Sequence, residues 1–194
     1  MLNLSEKLRR GFKAEAERYA AEFREELGIR PSHPLDMFLL AGHLAIPALA
    51  LSELQGEVSD RSYQRLANET KKQFFAVTLF VGNRRHIVFN DNVAPTRQQS
   101  DMAHELSHAI LGHPASELTD ASGGRHYNRT LEAEAACLSG VLLVPRAAAI
   151  AVVASNKHPL VAANEFNISL QMMTMRLNQS GAKRIISFGR AVAG

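Results

Sequence analysis

The spacing of apolar positions changes several times along the chain, and each change marks an element. From Leu4 to Leu27 charged residues dominate, the apolar ones recur at helical intervals, and Gly28 followed by Pro31 supplies a stop, which predicts a first helix. Its apolar positions are sparse, as in a helix for packing or for binding a partner. PLDMFLLAGHLAI, starting at Pro34, offers a continuous apolar face and predicts a second helix to about Leu44; a third, shorter one is expected from Asp60 to Thr70. The period then drops to that of strands. FFAVTLFV and RRHIVFN are β-branched and aromatic runs on either side of Gly82 and Asn83, the pattern of a hairpin. A helix follows, with Pro95 near its first turn, where a missing N–H costs nothing. The polar loop HPASELTDASGGRHYNRT separates it from a helix over about Thr130 to Leu143, which Pro145 closes or kinks. LVAANEFNISLQMMTMRLNQSG reads as two short helices joined at Asn167, with Ala163 facing the turn, Asn167 able to adopt the left-handed conformation and Ser169 as N-cap. That is helix-turn-helix spacing. The pattern as a whole is α+β and mainly helical, with a small antiparallel sheet.

Composition narrows the class. The 194 residues, 46% hydrophobic and 21% charged, fit one globular domain able to bury a substantial core. Glu6, Glu15 and Glu17 stand where a signal peptide needs an apolar run, and the greasy stretch from Cys137 to Ala154 is interrupted by Ser139, Pro145 and Arg146. A soluble cytoplasmic protein without a membrane span is therefore expected. A single cysteine excludes an internal disulfide framework and fits a reducing compartment. The net charge of +3 is mild, and the Lys and Arg residues are scattered rather than massed, so charge alone does not make a nucleic-acid binder. Within the second helix of the C-terminal pair only Arg176 is basic before Gly181, a poor reader of phosphates or bases, so nucleic acid is weakly supported as a partner.

The chemistry sits in SDMAHELSHAILGHP, from Ser100. His104 and His108 are four residues apart and lie one above the other on a helix, where two imidazole nitrogens can share one metal ion. Glu105, about 100° further round, is close to such a metal but poorly placed to ligate it, which suits a general base. Ala103, Leu106, Ala109 and Ile110 form an opposite, core-facing stripe, so the histidines look into a cleft. The plain alternative is a pair of surface histidines on a helix.

A catalytic zinc takes three protein ligands and keeps a position for water. The arrangement with a third histidine on the same stretch would need Gly at position 111 and His at position 114; the chain has Leu111 and Pro114. His113 is out of register and is expected to meet free carbonyls at the helix C-terminus. A glutamate from a second helix is the other solution. In TLEAEAACLSGVLLVP the core stripe runs Leu131, Ala135, Leu138, Leu142, and Glu132 and Glu134 flank it on either side. Periodicity does not choose between them. The alanines around them let two helices approach closely.

The strand ending HIVFN, an arginine-bearing helix start, AHELSHAILGH, the polar loop and LEAEAACLSGVLLVP together resemble the ImmA/IrrE family of zinc metallopeptidases. The resemblance runs from about Pro34 through AANEFNISLQMMTMRLNQSG. It implies a zincin-like domain over residues 31–154, preceded by an N-terminal helix over 1–30 and followed by a helix-turn-helix-like segment over 155–194 packed on it. It implies Glu132, first glutamate of an ExEA segment ending in Leu-Leu-x-Pro, as the third ligand of a Zn2+ held by His104 and His108. It also implies a protein substrate, a helix-turn-helix repressor cut at one site to release stress-response, mobile-element or phage-defence genes. Ala136 stands where the family usually has asparagine and Leu138 where it usually has phenylalanine; neither touches the proposed ligands.

The strand Arg84 to Asn90 is a candidate for taking an extended substrate by strand addition. His126 and Tyr127, after Ser-Gly-Gly in the polar loop, are candidate donors to the reaction oxyanion, and Cys137 reads as a small buried side chain. His33, His43, His86 and His158 have no partner that the sequence names. The competing class is a non-proteolytic regulatory protein with a structural zinc and a DNA- or partner-binding helix pair; a fourth protein ligand such as His113 or His126 would favour it.

Overall fold

The computed structural model describes residues 8–57, 59, 63–64, 75–114 and 128–192. The expected third helix falls almost wholly outside these residues, as do His126 and Tyr127. Eight α-helices and a three-stranded sheet are seen among the described residues, so the fold is α+β and mainly helical, as expected.

Helix α1 spans Phe12–Glu26 and starts later than the sequence predicts. Gly11 at φ 85 takes the chain off the helical path just before it, a conformation open to a residue without Cβ. Phe12, Ala16, Ala20 and Arg24, four residues apart in turn, form its buried stripe. Arg24 is fully buried, and its guanidinium donates to the carbonyls of His33 (3.0 Å), Ala20 (3.1 Å) and Leu142 (2.8 Å). Burial, opposed only in part by the charge of Glu17, pushes its pKa down to about 10.

Helix α2 (Met37–His43) is capped by Asp36, whose carboxylate accepts from the N–H groups of Phe38 and Leu39. Strands β1 (Ala48–Ala50), β2 (Ala76–Val81) and β3 (Arg84–Phe89) form a sheet in the order β1-β3-β2. The β2–β3 hairpin is antiparallel about Gly82, as the sequence predicts, with Thr78 opposite Ile87. β1 pairs in parallel with β3, making the sheet mixed. β3 is thereby the central strand: β1 covers Ile87–Phe89, so the expected addition of a substrate along Arg84–Asn90 is narrowed, among the described residues, to Arg84–His86, whereas the outer side of β2 is unpaired along its length.

Helix α3 (Pro95–Ile110) carries Pro95 in its first turn. Of its expected core stripe, Ala103 and Leu106 are fully buried, while Ala109 and Ile110 are half-buried and Met102 and Gln99 take their place. Helix α4 (Arg129–Leu143), capped by Asn128, buries Ala135, Leu138 and Leu142 as expected and leaves Leu131 half-exposed. Pro145 then turns the chain by 46° into α5 (Arg146–Ala154). No single helix among the described residues is long and apolar enough to cross a membrane.

Helices α6 (Pro159–Glu165) and α7 (Leu170–Gln179) meet at a turn that follows the sequence reading in detail. Asn167 sits at φ 49, Ala163 is buried, and Ser169 accepts from the N–H of Met172. Arg176 ties α7 to the body: its Nε donates to the Val144 carbonyl (2.9 Å) and its Nη2 to Glu17 (3.1 Å), whose other oxygen accepts from the N–H of Arg146 (2.8 Å). Helix α8 (Ala182–Val192) follows. One core holds residues from Phe12 to Ala182, with Met102, Leu106, Leu138 and Leu142 at its centre; truncating either leucine of α4 to alanine costs about 2–5 kcal/mol.

Candidate metal centre

Where α3 and α4 pack together, three donor side chains converge. His104 and His108, one turn apart on α3, bring their Nε2 atoms to 3.2 Å. From α4, Glu132 places Oε2 at 3.3 Å from His104 Nε2 and Oε1 at 3.6 Å from His108 Nε2. All three donors lie within 4.8 Å of one another. Donors arranged tetrahedrally about an ion with bonds near 2 Å stand about 3.3 Å apart, so the spacing fits a divalent ion of that size. The three side chains keep between 14% and 32% exposure, enough for a fourth position open to the cleft. The adjacent imidazoles, His104 first, hold the Glu132 carboxyl far below the usual carboxylate range, against the opposing effect of burial. Burial pulls the His104 ring toward the neutral form, but the hydrogen bond it donates to Glu132 and the charges of Glu105, Glu132 and Asp101 outweigh it and leave its pKa raised.

Glu132 therefore lies with the histidines and Glu134 does not. Glu134 turns to the other side of the α4 core stripe, is 6% exposed, and accepts from Arg9 Nε at 3.0 Å. What separates the two carboxylates is the rotation of α4 fixed by its packing on α1 and α3, which the sequence of α4 alone does not carry.

Glu105 shares the cleft with the cluster. Its Oε2 accepts a 2.6 Å hydrogen bond from the hydroxyl of Thr78 on β2. Thr78 is the site residue that the sequence reading missed; the signal was the single hydroxyl inside AVTLFV, but its value depends on strand register. One turn before Glu105, Asp101 pairs with Arg97 at 2.8 Å, and burial raises its pKa against that pairing. Arg85 donates to the His113 carbonyl (3.0 Å) and lies over the Phe80 ring.

His113 differs from expectation. Its backbone N–H does donate to the carbonyl of His108 (2.9 Å), because Gly112 at φ 64 turns the chain back, but its ring points inward, with Nδ1 at 2.9 Å from His108 Nδ1. The remaining histidines have local partners: His33 meets Arg30, His43 meets Glu26, His86 meets the Arg84 carbonyl, and His158 caps α6 through the N–H of Leu160.

The cleft has a volume of about 1180 Å³. It runs from Ala76 and Thr78 on β2, past the cluster, along Ala136 and Cys137 of α4 to Met172 and Met175 of α7. Burial raises the pKa of the Cys137 thiol, although Arg176 and Lys13 oppose the shift.

No curated protein matches the chain. A family model described as the IrrE N-terminal-like domain, Peptidase_M78, matches residues 59–178, a span that holds β2, β3, the α3–α4 cluster and the α6–α7 turn. The chain belongs to this family of metallopeptidase type, in which the His104, His108 and Glu132 group could hold a metal ion.

Proposed function

We propose that the protein is a zinc-dependent endopeptidase, with His104, His108 and Glu132 as ligands and Glu105 as general base. The observation that carries this reading is the convergence of three donors in an open cleft that a second carboxylate, Glu105, lines outside the donor group. A zinc ion held by His104, His108 and Glu132 would supply a Lewis acid for a peptide carbonyl and would lower the pKa of a water toward about 7. Thr78 holds one oxygen of Glu105 and thereby orients the other, which takes a proton from the attacking water. The hydroxyl adds to the carbonyl carbon, the C–N bond breaks, and Glu105 delivers the proton to the leaving amine.

Among the described residues β2 has an unpaired side, and its Ala76, Val77 and Thr78 line the same cleft, so an extended peptide added there as a further strand would run past Thr78 and the cluster. The methionines of α7 offer adaptable apolar contacts further along. A helix-turn-helix repressor, cut once to release the genes it silences, is the substrate class that the family resemblance supports. A repressor encoded beside this gene is the first candidate.

The test is Glu105→Gln. The variant retains metal and fold, loses on the order of a hundredfold or more in cleavage rate, and is recovered from cells bound to its uncut target. A variant that cleaves as fast as its parent, or regulated genes that respond unchanged, would overturn the reading and leave the cluster as a structural anchor.

A further inference from the structure

Two buried polar side chains behind the metal cluster have no part in the chemistry above. His113 and Glu134 are each 6% exposed. His113 follows the left-handed Gly112 that ends α3, and this turn folds its ring beneath that of His108, Nδ1 to Nδ1 at 2.9 Å. On its far side His113 Nε2 lies 3.6 Å from Glu134 Oε2. Glu134 Oε1 in turn accepts from Arg9 Nε at 3.0 Å, and the other two nitrogens of Arg9 reach Glu15 at 2.7 and 2.8 Å. A single file of polar groups thus runs from the N-terminal segment, across α4, to the back of one imidazole of the cluster.

The chemistry of the file fixes where each proton sits. Arg9 only donates, and Glu134, which receives the Arg9 Nε–H at 3.0 Å, is the acceptor. His113 therefore directs its N–H at Nε2 toward Glu134 and keeps a lone pair on Nδ1. That lone pair calls for a proton on His108 Nδ1, so that His108 Nε2 accepts from the His104 Nε2–H at 3.2 Å rather than donating across 3.6 Å to Glu132. The reverse order would set the His113 Nε2 lone pair against a carboxylate oxygen and put a proton on His108 Nε2 that has to move before the nitrogen can ligate, which weakens binding. We propose that His113 and Glu134 are positioning residues that lock His108 into the Nδ1–H tautomer and so aim its Nε2 lone pair at the metal. The proposal rests on the zinc reading for its purpose but not for its geometry. Ligating histidines commonly donate their second nitrogen to a carboxylate or carbonyl; here a histidine is interposed, which places the anchoring charge on the α1 side of α4.

Two measurements on the full chain test it. In the metal-free protein with 15N-labelled histidine, long-range 1H–15N correlation should show His108 protonated at Nδ1. His113→Leu keeps most of the volume and removes the acceptor, so the His108 proton should move to Nε2 and zinc affinity, measured by competition with a chelator, should fall about tenfold to a hundredfold. His113→Asn, whose carboxamide oxygen stands near the place of Nδ1, should restore most of both. The proposal is overturned if His108 of the parent carries its proton on Nε2, or if folded His113→Leu or His113→Asn shows that affinity and tautomer do not follow the acceptor. A parent with the Nδ1–H tautomer but no zinc affinity would refute the zinc reading and leave the positioning file standing.

Discussion

Two helix pairs in this fold, α3 with α4 and α6 with α7, both carry polar side chains at or near their contact and use them in opposite ways. Between α3 and α4, His104, His108 and Glu132 satisfy one another incompletely: their spacings are 3.2, 3.3 and 3.6 Å, and each keeps some exposure to the cleft. In the α6–α7 pair the polar groups at the turn and on the buried face are taken up by structure. Ser169 caps α7, Asn167 makes the turn, and Arg176, 5% exposed, is held by Glu17 and the Val144 carbonyl. The solvent face of α7 carries Leu170, Gln171, Thr174, Asn178 and Gln179, none of which can draw a phosphate by charge. Helix-turn-helix spacing thus makes a packing joint here, while helix-on-helix packing with small residues brings together the three side chains that could hold a metal ion.

The sharpest break of this comparison lies within α4. Glu132→Gln replaces the carboxylate that faces both imidazoles and should lose most of the bound metal, read by elemental analysis of protein purified without chelators. Glu134→Gln should keep a metal content near that of the parent, with affinity lowered by no more than about tenfold. The reverse result would move the ligand two residues along the helix.

At the other pair, Arg176→Met should act on stability and leave metal content alone. It removes a buried cation that satisfies Glu17 and the Val144 carbonyl; Glu17 is 29% exposed and regains water, so the cost is about 2 kcal/mol rather than that of a fully buried pair. For a chain of this size that corresponds to a fall of about 4–8 °C in melting temperature. Loss of metal in a folded Arg176→Met protein would show that the two pairs are not separate in the way proposed.

Local chemistry explains what the sequence disclosed. HELSH places two histidines on one face by helical period, Gly82 and Asn83 turn a hairpin, and Asn167 with Ser169 sets a turn within a few residues. What it concealed depends on distant partners. Glu132 and Glu134 are told apart by α1 and Arg9, more than a hundred residues away. β1 is three residues long, too short for a period, and it makes β3 central by pairing from the far side. The inward turn of His113 depends on Gly112 and on Glu134 waiting across the interface.

A smaller effect tests the turn itself. Asn167 at φ 49 occupies a region that asparagine tolerates and alanine does not, so Asn167→Ala should destabilise by about 1 kcal/mol and Asn167→Gly by a few tenths at most. Urea unfolding followed by circular dichroism measures both. Equal losses for the two substitutions would mean that the asparagine side chain, and not its backbone, holds the joint.

The smallest effect connects the two pairs. Cys137 lines the cleft between them, and burial raises its pKa while Arg176 and Lys13 pull it down. Its thiolate fraction near neutral pH should therefore lie below that of an exposed cysteine, and alkylation by a neutral reagent should be slower, with its rise displaced to higher pH. Removing the cation at position 176 takes away the larger of the two opposing charges. In Arg176→Met the rate profile should accordingly shift further upward in pH, provided the protein is held well below its melting temperature. A profile that moves the other way would mean that water has entered around Cys137, so that the joint made by α7 also seals the inner end of the metal cleft.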